Sequence, residues 1–347
     1  MPLLRALIRT VRMARNTSGL AAGLPDDDEV LLDAPDERLG PALVAAGRGD
    51  FGAAAALLRA TREGAEWENR DRYTARLAAF ALSRGEWFDD WRAAAPHDPD
   101  ATLVGAELAL CRGRRSPARA ELLRRIAPLV SAAAEGDPRD PVPWRIALDH
   151  ARGTDAPRTE FERVWAQAVR RSPHHYGCHV AALRYLCAAR HGSHDACLDF
   201  AERAARDALP GSLVQALPVR AAFAYLMEDG GGAVPRERLH AAADLAVALS
   251  REYPDADPWP AEARNLLVYV LIRLDRWEDA LDQLRRIGPY ATSFPWDRLS
   301  DDPLGQFLEL RDGIRLQVAS ERPLRARRRD LPHPRGGHGG RGPRGDH

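Results

Sequence analysis

Three histidines and a cysteine fall within six residues, His174, His175, Cys178 and His179, and His191 and His194 follow one predicted helix later. Imidazole nitrogens and thiolates ligate zinc and similar cations, and two histidines four residues apart share one face of a helix. That spacing makes His175, His179 and His191 candidate metal ligands, and a metal-dependent enzyme centred on the 174–194 cluster is one alternative. The glutamate of an HExxH motif is missing, because Tyr176 and Gly177 follow His175. Histidines that open a helix more often cap it or bridge packed elements. The structural role is the preferred reading, and no cofactor is expected.

Other sets of reactive residues are weaker. Glu86-Trp87-Phe88-Asp89-Asp90-Trp91 places two carboxylates between two tryptophans. Adjacent aspartates on a helix point about 100° apart, so they do not share one proton. Trp87 and Trp91, at i and i+4, are predicted to pack a hairpin core. The chain has no lysine, which excludes a GxxxxGK[ST] loop, and no GxSxG elbow or GxGxxG after a strand is present. The sequence therefore predicts a protein that is not an enzyme.

The elements that must position these residues read as helices. From about Pro35 to Ser320, segments rich in Ala, Leu, Arg and Glu alternate with Pro, Gly and Asp punctuation, and no β-type alternation occurs, so essentially no sheet is expected. Residues 3–15 form an amphipathic helix candidate, with Leu4, Leu7, Ile8 and Val11 on one face and Arg5, Arg9 and Arg12 on another. It would dock on the body or on a membrane surface. A linker, Asn16–Asp33, follows it. The tail from Arg322 has eight Arg against two Asp and little to bury, so it is read as disordered. The whole chain sums to zero, with 50 basic and 50 acidic residues, so the body is mildly acidic. Nucleic acid is not an expected partner, except for nonspecific polyanion contact by the tail. Four cysteines without a CxxC pair suit a reducing, cytoplasmic setting, and no apolar run is long enough to span a membrane.

Two stretches give the helices an arrangement. Leu274-Asp275-Arg276-Trp277-Glu278-Asp279-Ala280-Leu281 reads as the turn and second helix of a helical hairpin, and Gly49-Asp50-Phe51-Gly52-Ala53-Ala54 echoes it. The two aspartates lie 225 residues apart, close to six units of 37 or 38. A tetratricopeptide unit is about 34 residues, and stacked pairs bury a face that one pair cannot bury alone. Asp140-Pro141-Val142-Pro143-Trp144, Phe161-Glu162-Arg163-Val164-Trp165, Arg170–His175, Leu183-Arg184-Tyr185-Leu186 and Phe200-Ala201 add a sharper pattern. This pattern resembles an uncharacterised bacterial family of tetratricopeptide-like proteins, known only as a domain of unknown function. The likeness covers residues 36–320 loosely and 140–225 more closely. It implies an all-helical repeat fold and transfers no activity or site residue. Val268 departs from it, standing where the first helix of a unit prefers a small residue.

The sequence thus predicts an all-α, irregular tetratricopeptide-like α-α solenoid of antiparallel helix pairs. Residues 1–33 form a basic helix and flexible linker, 34–321 the repeat domain and 322–347 the tail. The expected function is a non-catalytic scaffold for a protein or peptide partner, and His174, His175, His179, Arg184 and Tyr185 are the candidate contacts.

Overall fold

The computed structural model describes residues 23–115, 123, 126–187, 192–228 and 234–329. Candidate helix 3–15, His191 and most of the Arg-rich tail lie outside them. The described part is all-α. Its helices are α1 Leu39–Ala46, α2 Gly52–Glu63, α3 Trp67–Ser83, α4 Glu86–Ala94, α5 Pro99–Arg115, α6 Ile126–Gly136, α7 Val142–Gly153 and α8 Arg158–Arg171. Then come α9 Tyr176–Leu186, α10 His194–Asp207, α11 Leu217–Met227, α12 Arg236–Glu252, α13 Ala261–Arg273, α14 Trp277–Ile287, α15 Ser293–Trp296 and α16 Pro303–Arg329. Among the described residues no helix is long and apolar enough to cross a membrane.

The turns explain how so many helices follow each other closely. Gly49, Ala65, Asp155 and Asp275 take positive φ just after α1, α2, α7 and α13. At Asp275 the N–H groups of Asp275 and Arg276 return to the carbonyls of Ile272 and Leu271. The same pair of bonds recurs after Gly49, Ala65 and Asp155. This is a Schellman closure, which satisfies the last carbonyls of a helix and reverses the chain. The expected hairpin at 274–284 is therefore present, with Asp275 as its left-handed residue and Trp277 opening α14.

Packing follows chain order. One series, α3, α5, α7, α9, α11 and α13, packs each helix against the next in the series. The others flank it; α6, α8, α10 and α12 each pack on the preceding and the following series member, and α14 packs on α13 and α16. Burial matches this division. In α13 every residue from Arg264 to Ile272 is buried, Val268 included, whereas α14 buries one stripe, Ala280, Leu281, Leu284 and Ile287 among it. Trp87 and Trp91 stack 6.2 Å apart in the core of the N-terminal helices.

Two predicted boundaries change. Residues 25–33 are not a free linker. Leu31–Leu32 form a short parallel strand, β1, paired with Tyr290–Ala291, β2. The Leu31 and Asp33 N–H groups donate to the Pro289 and Ala291 carbonyls at 2.7 Å each. Arg311 of α16 reaches the Pro25 carbonyl and the Asp27 carboxylate. At the other end, α16 buries Phe307, Leu310, Ile314 and Val318 along one face and continues without a break to Arg329, past the expected edge at 321.

Asp33 is the centre of this clasp. It accepts the Ser293 N–H at 3.0 Å and the Ser293 hydroxyl at 2.6 Å, and it faces Arg76 of α3 at 3.3 Å. Burial alone would raise its pKa, but the Ser293 bonds and Arg76 outweigh burial and hold it below the ordinary carboxylate value. A carboxyl depressed in the folded state stabilises above its unfolded pKa, and the gain is lost as pH falls through the folded value. Asp33→Ala should therefore cost about 1–3 kcal/mol at neutral pH. Urea melts of the two proteins at falling pH should converge in acid; a gap that is constant with pH would contradict the clasp.

Candidate functional site

Many of the buried charged residues gather in one layer, at and just beyond the first turns of the series helices. Arg70, in the first turn of α3, is 1% exposed. Its Nε donates to Asp140 at 2.6 Å, one terminal nitrogen to the Leu58 carbonyl at 2.8 Å, and the other pairs with Asp100 at 2.7 Å. Asp140 lies just ahead of α7 and also accepts the Val142 N–H, while Asp100 is the second residue of α5. Burial pushes the Asp140 carboxyl upward, and Arg70 opposes that push. Arg145, in the first turn of α7, pairs with Asp71 of α3 at 2.6 Å, with Glu107 of α5 at 2.6 Å and with Asp149 at 3.6 Å. Burial works against its charge, but these three carboxylates hold its pKa well above the ordinary guanidinium value.

The layer continues through α9, α11 and α13. Tyr176 opens α9, and its N–H donates to Glu68 of α3 at 2.7 Å. Its hydroxyl accepts from Arg220 Nε at 3.2 Å, and Arg220 in turn pairs with Glu262 in the first turn of α13. The N-terminal ends of α3, α5, α7, α9, α11 and α13 therefore meet on one side of the protein. Each end carries orphan N–H groups and partial positive charge, which carboxylates in the first turn stabilise.

An open cleft of about 490 Å³ lies against this layer. Glu66, Glu68 and Asn69 line it from the start of α3, Ser172, His174 and His175 from the turn before α9, and Trp259 from the loop before α13. Glu66 is already paired with Arg38 and accepts from Asn69. The Arg72 guanidinium lies 5.3 Å from the centre of the Trp259 ring. Burial raises the pKa of Glu68.

His175 forms the floor of the cleft. It is the N-cap of α9, with extended backbone, and its Nδ1 accepts the Cys178 N–H at 3.1 Å. Its Nε2 lies 3.3 Å from the Trp67 carbonyl. Full burial opposes a charge on this ring, whereas Cys178, Glu68 and Asp71 push its pKa upward. The larger part of that lift requires a Cys178 thiolate. Burial pushes the Cys178 thiol upward, so it stays protonated at neutral pH. An Nδ1 that accepts an N–H cannot itself carry a proton, and a carbonyl can only accept. The arrangement is that of a neutral ring protonated on Nε2, with both nitrogens engaged.

The predicted site residues separate accordingly. His174 and His175 come together at the cleft. His179 turns away from it: its Nδ1 lies 2.9 Å from the His175 carbonyl, and its ring packs edge-on against Trp165 at 5.1 Å. Burial lowers its pKa. Tyr185 is a core residue rather than a partner contact; it is fully buried, stacks on Phe161 at 4.1 Å and donates to the Ala156 carbonyl. Arg184 is exposed on α9, and His194 sits edge-on against Tyr225 and 3.3 Å from Glu228. Among the described residues no group of three or more His, Cys, Asp or Glu side chains could hold a metal ion. Glu66, Glu68, Asn69 and Trp259 were not among the sequence candidates. Trp259 was visible only as one of eight scattered tryptophans, and the acidic first turn of α3 had no distinguishing pattern.

Comparison with protein-family models, with curated proteins and with solved structures finds no match to this chain. What characterises the chain is its fold and its cleft: over the described residues, an all-α protein with a buried ionic layer and a polar opening onto it.

Gly177 shows how tightly that layer is set. A Cβ there would stand 2.0 Å from Asp71 Oδ2 and 3.0 Å from His175 Cε1. Gly177→Ala should push Asp71 off Arg145 and cost about 2 kcal/mol or more, since crowding and a broken buried pair add. In an Asp71→Ala background the same substitution should be nearly neutral. Equal costs in both backgrounds, read from denaturant midpoints, would refute the clash.

Proposed function

We propose that this chain is a non-catalytic scaffold, an irregular tetratricopeptide-like α-solenoid that binds a protein or peptide partner in the cleft beside Glu68, His174 and Trp259. The observation that carries this reading is the cleft itself. It is open, large enough for several side chains, and rimmed by hydrogen-bonding groups and an indole drawn from three separate helix starts. Pockets of this size and mixed chemistry are the ordinary binding sites of folded proteins, and aromatics at a rim are frequent interface anchors. A reducing, cytoplasmic setting goes with this reading, because all four cysteines are free.

The alternative of a metal-dependent enzyme draws less support. His175 has both ring nitrogens engaged, and His179 has its Nδ1 on the His175 carbonyl and its ring against Trp165. The buried thiol of Cys178 donates to the Pro141 carbonyl and lies outside the cleft lining.

The test is selection of random twelve-residue peptides on the immobilised full-length chain. Enriched peptides should bind the wild type and lose about tenfold or more in affinity to Trp259→Ala, the range for losing an aromatic anchor. Recovery of no peptide, or of peptides indifferent to Trp259→Ala and His174→Ala, would overturn the proposal.

A further inference from the structure

The chemistry of what enters the cleft follows from one unbalanced charge. Glu68 uses Oε1 to accept the Tyr176 N–H at 2.7 Å, and its Oε2 stands 3.9 Å from His175 Nε2. The His175 ring is neutral in the arrangement described above. Among the described residues no arginine forms an ion pair with Glu68, and four arginines of the surrounding elements are committed elsewhere. Arg38 is held by Glu66, Arg72 by Asp36, Arg145 by Asp71 and Glu107, and Arg220 by Tyr176 and Glu262. The side chain of Glu68 is 35% exposed, so it keeps some water in the free protein.

A partner seated in the cleft removes that water. An apolar group would then leave a desolvated carboxylate without a counter-charge, a costly state. An anion would add like-charge repulsion from Glu68, and Asp71 behind it would reinforce the repulsion. A cation answers both problems. Trp259 supplies the second half of such a site, since the face of an indole attracts guanidinium and ammonium groups. The ring already shows this with Arg72, 5.3 Å from its centre.

We infer that the cleft is a recognition site for a basic side chain, an arginine or lysine of the partner peptide, with its cation held by Glu68 and its stem against Trp259. Asn69, Ser172 and His174 at the rim remain for hydrogen bonds to the peptide that carries it. This step rests on the peptide-binding reading and adds the charge of the ligand to it.

The test uses pools of twelve-residue peptides with a degenerate background and one fixed central residue: arginine, lysine, citrulline, norleucine or glutamate. Each pool is titrated against the full-length wild type, Glu68→Gln and Trp259→Leu. Glu68→Gln keeps an oxygen for the Tyr176 N–H and removes only the charge, and matching thermal melts establish that it folds. In the wild type the arginine and lysine pools should bind about tenfold more tightly than citrulline and norleucine, the worth of one charge-assisted contact. That preference should shrink to within about twofold in Glu68→Gln, since only the Coulombic part is removed. Trp259→Leu should weaken the basic pools most. If the pools bind with no preference for a cation, or keep it in Glu68→Gln, the inference falls and the peptide-binding reading stands. Binding of no pool overturns both. If free agmatine competes as well as the arginine pool, the ligand is a small cation and the peptide form of the proposal is overturned.

Discussion

Arg70 is the residue on which the architecture turns. A guanidinium taken wholly out of water loses a hydration energy that only several well-placed acceptors can offset. Arg70 has them: the carboxylates of Asp100 and Asp140 and the Leu58 carbonyl. These come from α5, from the residue pair before α7 and from α2. One side chain of α3 thereby fixes three neighbouring segments at once. Since both carboxylates belong to helix starts, satisfying Arg70 requires those starts to lie side by side. Arg145 of α7 ties in Asp71 of α3 and Glu107 of α5, and Arg220 of α11 ties in Tyr176 of α9 and Glu262 of α13. The ionic layer and the common direction of the series helices are thus one constraint. Apolar burial in α13 or α16 supplies most of the stability, as the hydrophobic effect does generally, but it has no directional preference and could not by itself bring those ends together.

That constraint explains where the opening lies. Six helix starts leave unpaired N–H groups on one side of the protein, and packed starts cannot all use water. Some are answered across helices, as when Glu68 of α3 accepts the first N–H of α9. A side chain recruited this way must stand at the edge of the packed layer, where the next turn of chain cannot follow. The cleft is the space left at that edge. The clasp of β1 on β2, with Asp33 reaching both Ser293 and Arg76, works at longer range. It ties the residues before α1 to the loop after α14 and so limits how far the helix series can splay.

Much of the local structure was legible in the sequence, and little of the site was. Helices and their ends followed from composition and punctuation, because capping and turn chemistry are local. The Asp275 reversal could be read directly, as could the packing of Trp87 on Trp91. The ionic layer could not, since Arg70 and Asp140, Asp71 and Arg145, or Glu68 and Tyr176 are separated by 70 residues or more. In a sequence each of these resembles an ordinary solvated charge in the first turn of a helix. The histidine spacing has a different limit. The i, i+4 rule applies to residues inside a helix, and His175 is the cap, with φ −69° and ψ 112°. Its ring folds back on the Cys178 N–H rather than standing beside His179. Tyr185, a candidate contact in the sequence, fills the space beside Phe161.

The choice of histidine as that cap has a physical consequence. Ser, Thr, Asn and Asp are the usual N-caps because a side-chain oxygen accepts the orphan N–H. An aspartate at 175 would bring a third negative charge beside Glu68 and Asp71, in a layer where Arg145 already faces three carboxylates. Serine would accept the N–H but leave a gap above Trp67, which a buried site disfavours. A neutral imidazole accepts on Nδ1, presents its other nitrogen to the Trp67 carbonyl and fills the floor, all without adding charge. It therefore leaves Glu68 as the one carboxylate at the opening whose charge this fold does not balance.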